Sequence, residues 1–449
     1  MKTYQDLLAV GERDTDRMQF LLDAINEHKQ TEQYKIAVRA HDYYEHRNTT
    51  IMEYQKIVYD MLGRAKVDHW SANHKIPCRL FFYFVNQATA FLLGNGAQFE
   101  KEETAAKLGK DFDNRLQELL TEAQKGGVSF GFFNLDHVDV FGIREFVPLF
   151  DEETGAMKAG IRFWQIDKDK PLRITLYELD GYTQYIRRKS EEIRILKDKQ
   201  RYVKNVTYSE ADGMEIVDGE NYAGFPIVPM YGICKQSELV GMRNTIDAYD
   251  LMASDLVNNV DEANLIYWVL KNCDGMDATD DAAFVQRLKT MRVAHTNGDA
   301  GSEVEAHTVD VPYQAAEAAL NRLRSQLFED AMALDVKQIS AGNATATQII
   351  AAYEPLNAKA DLLEFAVLDF LNGIFELAGI TDEKPTFKRS MITNQLEMTQ
   401  MVMMAANELD SETILRLLPF LTPDMVEKIM ERKLEEEVDR YQEDEEVEV

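Results

Sequence analysis

Three features of the 449-residue chain predict an α+β fold, mostly helical, with long helices, an antiparallel β-meander and a small α/β insert. Between residues 126 and 208 the apolar period drops from helical to two, in short β-prone runs parted by turn residues. From Ser237 a seam of apolar residues keeps a spacing of threes and fours as far as Leu270, which predicts one long helix packed lengthwise on another. After it come a compact insert, a second long helix returning from about Tyr313, a small-residue loop, and a third long helix carrying Pro355 in its interior.

Taken in order, residues 1 to about 70 read as helices, with Leu7, Leu8, Met18, Leu21, Leu22 and Ile25 at helical spacing. A loop with Pro77 leads to an aromatic-rich helix that Gly94-Asn-Gly96 stops. Residues 102 to 125 are helical again through Phe112, Leu116, Leu119 and Leu120. The strands begin at Val128, and the turns Gly126-Gly127, Glu153-Thr-Gly155, Asp180-Gly181 and Asp212-Gly213 divide them into a meander. Phe225-Pro-Ile-Val-Pro-Met-Tyr231 is an extended exit strand.

The helix from Ser237 carries Leu239, Met242, Ile246, Tyr249, Leu256 and Val260 on its seam. Beside the seam runs a polar stripe of Asp247, Asp250, Ser254, Asn258 and Asp261. Two readings stay open for it, a solvated face or an acidic wall facing a channel. In the insert, a short helix near Asp280 to Leu288 is followed by strands Met291 to Thr296 and Glu303 to Val311 about Asn297-Gly298. Such a pair is marginal alone and calls for neighbours. The apolar pattern continues across Pro355, which predicts a kink rather than a helix end. Further helix starts are expected at Asp410-Ser411-Glu412 and Thr422-Pro423-Asp424.

Composition bounds what such a chain does. Hydrophobic residues at 45% and aromatics at 10% are globular values, and the length implies more than one structural unit. The N-terminus lacks an apolar core like that of a signal peptide, and no run of eighteen apolar residues exists, so no membrane crossing is expected. Cys78, Cys234 and Cys273 have neither zinc-ligand nor disulfide spacing, which suits a reducing compartment. A net charge of −29 argues against binding nucleic acid by neutralising its phosphates. The segment Glu435 to Val449 alone holds nine acids and one base.

Motifs that carry chemistry are missing. Leu93-Gly-Asn-Gly96 lacks the third glycine of a dinucleotide turn and the Lys-Ser/Thr of a phosphate loop. His41 and His46 are five apart and miss the zinc pair of i,i+4, and no nucleophile elbow occurs. No metal or cofactor is expected, and the chain is not read as an enzyme. Two long helices with a module at their far end, then a loop of small residues and a kinked helix, make a poor enzyme pocket and a good wall element for a tube.

Several stretches resemble one family, the portal proteins of tailed bacteriophages, of the SPP1-like kind. They are Asn73-His-Lys-Ile-Pro77 with the apolar helix after it, and Ser237-Glu-Leu with Thr245-Ile-Asp-Ala-Tyr-Asp250 and Ser254-Asp-Leu-Val-Asn258. Ala341-Gly-Asn-Ala-Thr345 with Tyr353-Glu-Pro-Leu356 and Lys359-Ala-Asp361, and Leu409-Asp-Ser-Glu-Thr413, complete the set in the family's order.

The resemblance implies a ring, typically of twelve copies, at one capsid vertex, with DNA packaged and ejected through its axis. It implies a wing (1–236 with 348–383), stem helices (237–271 and 313–338), a clip (272–312), a tunnel loop (339–347) and a crown with acidic tail (384–449). Lys337, Ser340, Gly342, Asn343 and Thr345 would lie at the DNA, Asp247, Asp250 and Asp261 would face the channel, and Arg287, Lys289 and Arg292 would sit where partners dock. Arg322 and Arg324 are expected to pair with the stem acids instead. Implied partners are other copies of the chain, duplex DNA without sequence preference, the large subunit of terminase, a head-completion adaptor, and the major capsid and scaffold proteins. The implied location is the virion, after assembly in the host bacterial cytoplasm. A capsid assembly or scaffold protein without a DNA-wide channel, and a metal-dependent enzyme using dispersed acids, are the alternatives.

Overall fold

A computed structural model describes residues 2–433, apart from 12, 60–62, 70, 190, 209–214, 264–266, 272–302, 308–312, 340–345, 390–394, 407–408, 419–420, 422–424, 427 and 431. The N-terminal region is helical as its spacing dictates: α1 (Tyr4–Val10), α2 (Asp14–Gln30), α3 (Glu32–Tyr44) and α4 (Thr49–Glu53). It does not stay helical to residue 70. Ile57–Tyr59 and Ala65–Val67 pair as a small antiparallel hairpin, β1 and β2, whose residues are all exposed. The β-branched and aromatic residues Ile57, Val58 and Tyr59 favour that outcome.

Helix α5 (Leu80–Leu93) ends at Gly94, where the expected glycine stop stands. Residues 102 to 125 form two helices, α6 (Glu102–Leu108) and α7 (Phe112–Gly126), parted at Gly109 with φ of 92°. Gly127 closes α7 in the left-handed region, and a Cβ there would meet the Gln236 backbone at 2.8 Å. The strands are antiparallel as expected, but they are not one meander. A five-stranded sheet has the order β10-β9-β8-β7-β6: Arg194–Gln200, Gly181–Arg187, Leu172–Glu178, Met157–Trp164 and Phe146–Phe150. Strand β4 (Val128–Asn134) lies between β5 (His137–Gly142) and β13 (Ile227–Tyr231), so the segment expected as an exit strand returns to the start of the β region. Val203–Tyr208 (β11) and Glu215–Glu220 (β12) pair as a hairpin.

Four cores result. Leu21 and Ile25 of α2 pack on Val147, Ile161, Ile174 and Leu176, one face of the five-stranded sheet. Part of the opposite face meets the three-stranded sheet through Phe130, Phe132, Phe141, Phe146 and Tyr177.

The long helices supply the other two. Helix α8 (Leu239–Ala263) pairs with α9 (Tyr313–Asp330), and Ile246, Met242 and Leu327 bury against Phe81 and Phe84 of α5. The seam of α8 does not reach Leu270 as a helix: Tyr267–Lys271 is a strand, β14, paired with β15 (Glu303–His307). A run of Tyr, Trp, Val and Leu is β-prone and overrides a spacing that also fits a helix. The returning helix stops at Asp330 rather than 338. Residues 331–335 make a turn before a short helix, α10 (Val336–Ile339). The third long helix, α11 (Ala346–Ala378), runs through Pro355 without ending. It buries Leu363, Val367, Phe370 and Ile374 against Leu92 of α5 and Leu119 of α7. Gly131 of β4 leaves room for the Phe370 ring, which would lie 2.6 Å from a Cβ at that position. Beyond it, Thr386–Phe387 (β16) pairs with Ala97–Gln98 (β3), and two helices follow, α12 (Gln395–Met404) and α13 (Ser411–Leu417). The Asp410 side chain caps α13 as expected. The helix start at Thr422-Pro423-Asp424, and the insert helix and strand at 280–296, lie outside the described residues.

Candidate functional site

The long helices share a root, and the polar stripe of α8 builds it. A helix advances about 6 Å in four residues and an extended chain about 6.6 Å in two. Side chains one turn apart can therefore accept from alternate backbone N–H groups of an extended segment lying along them. That is what Asn258, Ser254 and Asp250 do. Asn258 Oδ1 accepts from the His74 N–H at 2.7 Å, Ser254 Oγ from the Ile76 N–H at 3.0 Å, and Asp250 Oδ1 from the Cys78 N–H at 2.7 Å. The segment Asn73 to Cys78, short of regular structure of its own, thus finds acceptors for its half-buried donors. Ser254 donates in turn to the Asp250 carbonyl.

The stripe is neither a solvated face nor a channel wall along most of its length. Asp250 is fully buried, and its second oxygen accepts from Asn48. Burial raises its carboxyl above the usual range, and the Asn48 and Cys78 bonds pull it partly back. The Asp247 side chain accepts from Tyr43 and, at 2.9 Å, from Thr50, with Arg243 beside it. Both are structural acceptors between α8 and the N-terminal helices, which corrects their assignment to a channel face. Asp261 differs: its side chain is 61% exposed, with His74 3.4 Å away.

A second lock joins the bases of the three long helices. Lys359 of α11 is buried, and its Nζ donates to Glu238 at the start of α8 at 2.7 Å and to the Ala331 carbonyl after α9 at 3.2 Å. A third holds the turn that follows α9. The Gln87 side chain donates to the Leu334 carbonyl and accepts from the Leu334 N–H, at 3.0 and 2.9 Å, while Tyr83 donates to the same carbonyl. Arg324 makes a two-toothed bond to Asp335, at 2.5 and 3.0 Å, and lies 4.5 Å over the Phe328 ring. It pairs with an acid of the turn, not with the stripe acids as expected, and Arg322 is exposed. A cavity of about 380 Å³ opens beside this clamp, lined by Tyr83, Tyr249, Arg324, Phe328, Asp335 and Lys337.

Lys337 is exposed at the edge of that cavity, on α10, which leads into the small-residue loop. Ser340, Gly342, Asn343 and Thr345 lie outside the described residues, as do Arg287, Lys289 and Arg292. The residues that sequence reasoning left out are among the ones that lock: Asn48, Gln87 and Asp335, polar side chains that belong to no motif. Away from the root, His41, Glu122 and Lys125 form a buried cluster between α3 and α7. Burial alone would raise the Glu122 carboxyl, but the His41 bond and the His41 and Lys125 charges outweigh it and hold it at about 2. Among the described residues, no group of three or more His, Cys, Asp and Glu is placed to hold a metal ion, and no helix is long and apolar enough to cross a membrane.

Residues 23–448 match the family model described as Phage portal protein, SPP1 Gp6-like. The portal protein of Bacillus phage SPP1 is 25% identical over an alignment of 476 positions, which covers 97% of this chain and 88% of that protein. The portal protein of Clostridium phage phiCD119 is 27% identical over 212 residues, covering 45% of this chain and 46% of that relative's length. A crystal structure of an HK97 family phage portal protein from Corynebacterium diphtheriae is similar at 13% identity and a TM-score of 0.36, over 71% of this chain and 96% of that one.

Proposed function

We propose that this chain, which belongs to the SPP1-like family of phage portal proteins, assembles as a ring of copies, twelve by expectation, at one capsid vertex. Phage portal proteins are virion components. The ring is the channel through which duplex DNA enters and leaves, and the platform on which the large subunit of terminase and a head-completion adaptor dock in turn. The observation that carries the reading is the family match along nearly the whole chain. The root geometry supports it, because two stretches that resemble the family's, Asn73-His-Lys-Ile-Pro77 and Ser254-Asp-Leu-Val-Asn258, bind one another.

In this reading α8 and α9 are the stem, bound at their base into the helical and sheet region that serves as the wing. The segment beyond β14, through Arg287, Lys289 and Arg292, is the clip that meets docking partners. The loop after Lys337, with Ser340, Gly342, Asn343 and Thr345, approaches the DNA, and its small side chains allow close contact without a fixed shape. Of the stripe acids only Asp261 remains to line the channel, where negative charge at short range keeps phosphates from sticking. Val257 and Val260 of α8, and Leu362 and Phe365 of α11, are exposed apolar side chains that a neighbouring copy buries. The protein supplies a conduit and no catalysis, so the ATPase that moves the DNA is another protein. The other implied neighbours are the major capsid and scaffold proteins.

The test is electron microscopy of the purified protein, with class averages viewed down the particle axis. A ring of about a dozen copies around a hole of ~20 Å or more supports the channel. A ring whose hole is too narrow for duplex DNA removes it.

A further inference from the structure

The five-stranded sheet is positive on a chain that is otherwise strongly acidic. Its five strands hold seven Lys and Arg against two Asp and Glu, where the whole chain has 49 against 78. Residues paired across strands project from the same face. Trp164 pairs with Arg173, Arg173 with Ile186, and Ile186 with Arg194, so these four form one row across β7 to β10. The next row on that face is Arg162, Thr175, Gln184 and Lys197.

The opposite face is buried on α2, and the far end of this one is covered by the aromatic core around Phe141 and Tyr177. The near end is open. Arg173, Arg188, Arg194 and Lys197 are exposed there, and Arg162 lies between the Phe141 and Trp164 rings at 4.1 and 4.8 Å. The nearby acids are few: Glu145 sits 3.6 Å from Arg162, Glu191 3.9 Å from Arg194, and Asp169 3.2 Å from Lys189.

We propose that this basic face is the docking site of the chain's own acidic segment, Glu435 to Val449. Charge complementarity selects that occupant. The face is a local excess of positive charge, and the segment, which lies outside the described residues, concentrates nine acids against one base. An extended stretch of fifteen residues spans up to about 50 Å, so it can lay several carboxylates along two rows of the sheet. Salt bridges of this kind are individually weak, and together they form a salt-sensitive contact. Its consequence is shielding. A basic, aromatic-lined face would otherwise attract any polyanion near it, and the acidic segment occupies it first.

The experiment uses the full-length protein and a zero-length carbodiimide, which joins a carboxylate to an amine only when the two touch. Peptide mapping by mass spectrometry is expected to find crosslinks from residues 435–449 to Lys197 and Lys189, lost in 0.5 M salt by roughly tenfold. They should also vanish in a variant with Glu435→Gln, Glu436→Gln, Glu437→Gln, Asp439→Asn, Glu443→Gln, Asp444→Asn, Glu445→Gln, Glu446→Gln and Glu448→Gln. Mixing isotopically light and heavy protein identifies the source: crosslinks within one isotope support the chain's own segment, and mixed ones overturn it in favour of another copy. A 20-base-pair duplex should bind the neutralised variant more than ten times better than the wild type, and Arg173→Glu with Arg194→Glu and Lys197→Glu should abolish the gain. Crosslinks from the segment to other parts of the chain, or equal DNA binding by wild type and neutralised variant, overturn the proposal.

Discussion

The two ends of α8 carry the same spacing of apolar residues and meet different surroundings. Near its start Leu239, Met242 and Ile246 are buried, and the polar residues beside them are used up by neighbours in the same chain. Toward its end Val257 and Val260 are about 40% exposed. The difference teaches that amphipathic pattern sets which residues want a partner, while the chain around the helix decides whether that partner is internal. The root is complete within one copy. The far end is left for another, in the reading proposed above.

The largest expected loss comes from breaking the root at its ion pair. Lys359→Met leaves Glu238 buried without its cation and should cost about 3–5 kcal/mol in denaturant unfolding. Adding Glu238→Met should recover most of that loss, and failure to recover would move the cost from charge to packing. Asp250→Ala strands the Cys78 N–H and removes one of the two acceptors of the Asn48 amide, the Cys78 carbonyl being the other, and should cost about 3 kcal/mol. Ser254→Ala, with only one such donor at stake, should cost about 1–2 kcal/mol. If the two variants prove equally mild, water has replaced the stripe and the root is looser than its bonds imply.

An acid titration probes a buried cluster away from the root, between α3 and α7. Glu122 is held at about 2, below its ordinary value of 4.5, so the folded state binds its proton less readily than the unfolded one. Its contribution is present above pH 4.5 and is lost as pH falls toward 2. Glu122→Gln should flatten that part of the stability curve, measured by thermal unfolding between pH 5 and 2.5. An unchanged slope would assign the acid sensitivity to other carboxylates.

At the far end the expected effect on the single chain is smallest. Val257→Asp with Val260→Asp should change monomer stability by less than about 1 kcal/mol, because both positions are already in water. Ring formation should nevertheless fail, as read by electron microscopy or native mass spectrometry. Intact rings would remove this end of α8 from the contact between copies. Deleting residues 341–344 should leave both stability and rings unchanged and reduce DNA packaging, whereas loss of rings would make that loop structural.

Much of the architecture was legible because it rests on local rules. Glycine after Leu93 stops a helix, Asp410 offers an oxygen to the N–H of Thr413, and apolar spacing on both sides of Pro355 keeps α11 continuous. The period-two runs marked the strands, but not the sheets they join. The switch from α8 to the strand at Tyr267 was hidden because a short continuous apolar run fits both the end of a helical seam and a strand. The β-forming run Tyr267-Trp-Val-Leu was the signal that separates them.

The site divides along the same line. The stretches around Asn73, Asp250, Ser254 and Lys359 stood out as motifs, yet nothing in a linear chain says that the first binds the second and third, or that Lys359 meets Glu238. The sequence by itself determined most of the helical and extended segments, though not the strands at Ile57 and Tyr267, together with the acidity of the chain and its family, since each follows from neighbouring residues or residue order. The tertiary structure decided the fate of the polar stripe. Whether a carboxylate on an amphipathic helix faces water, a channel or a backbone N–H depends on what packs against it, and for Asp250 the answer came from a segment more than 170 residues earlier in the chain.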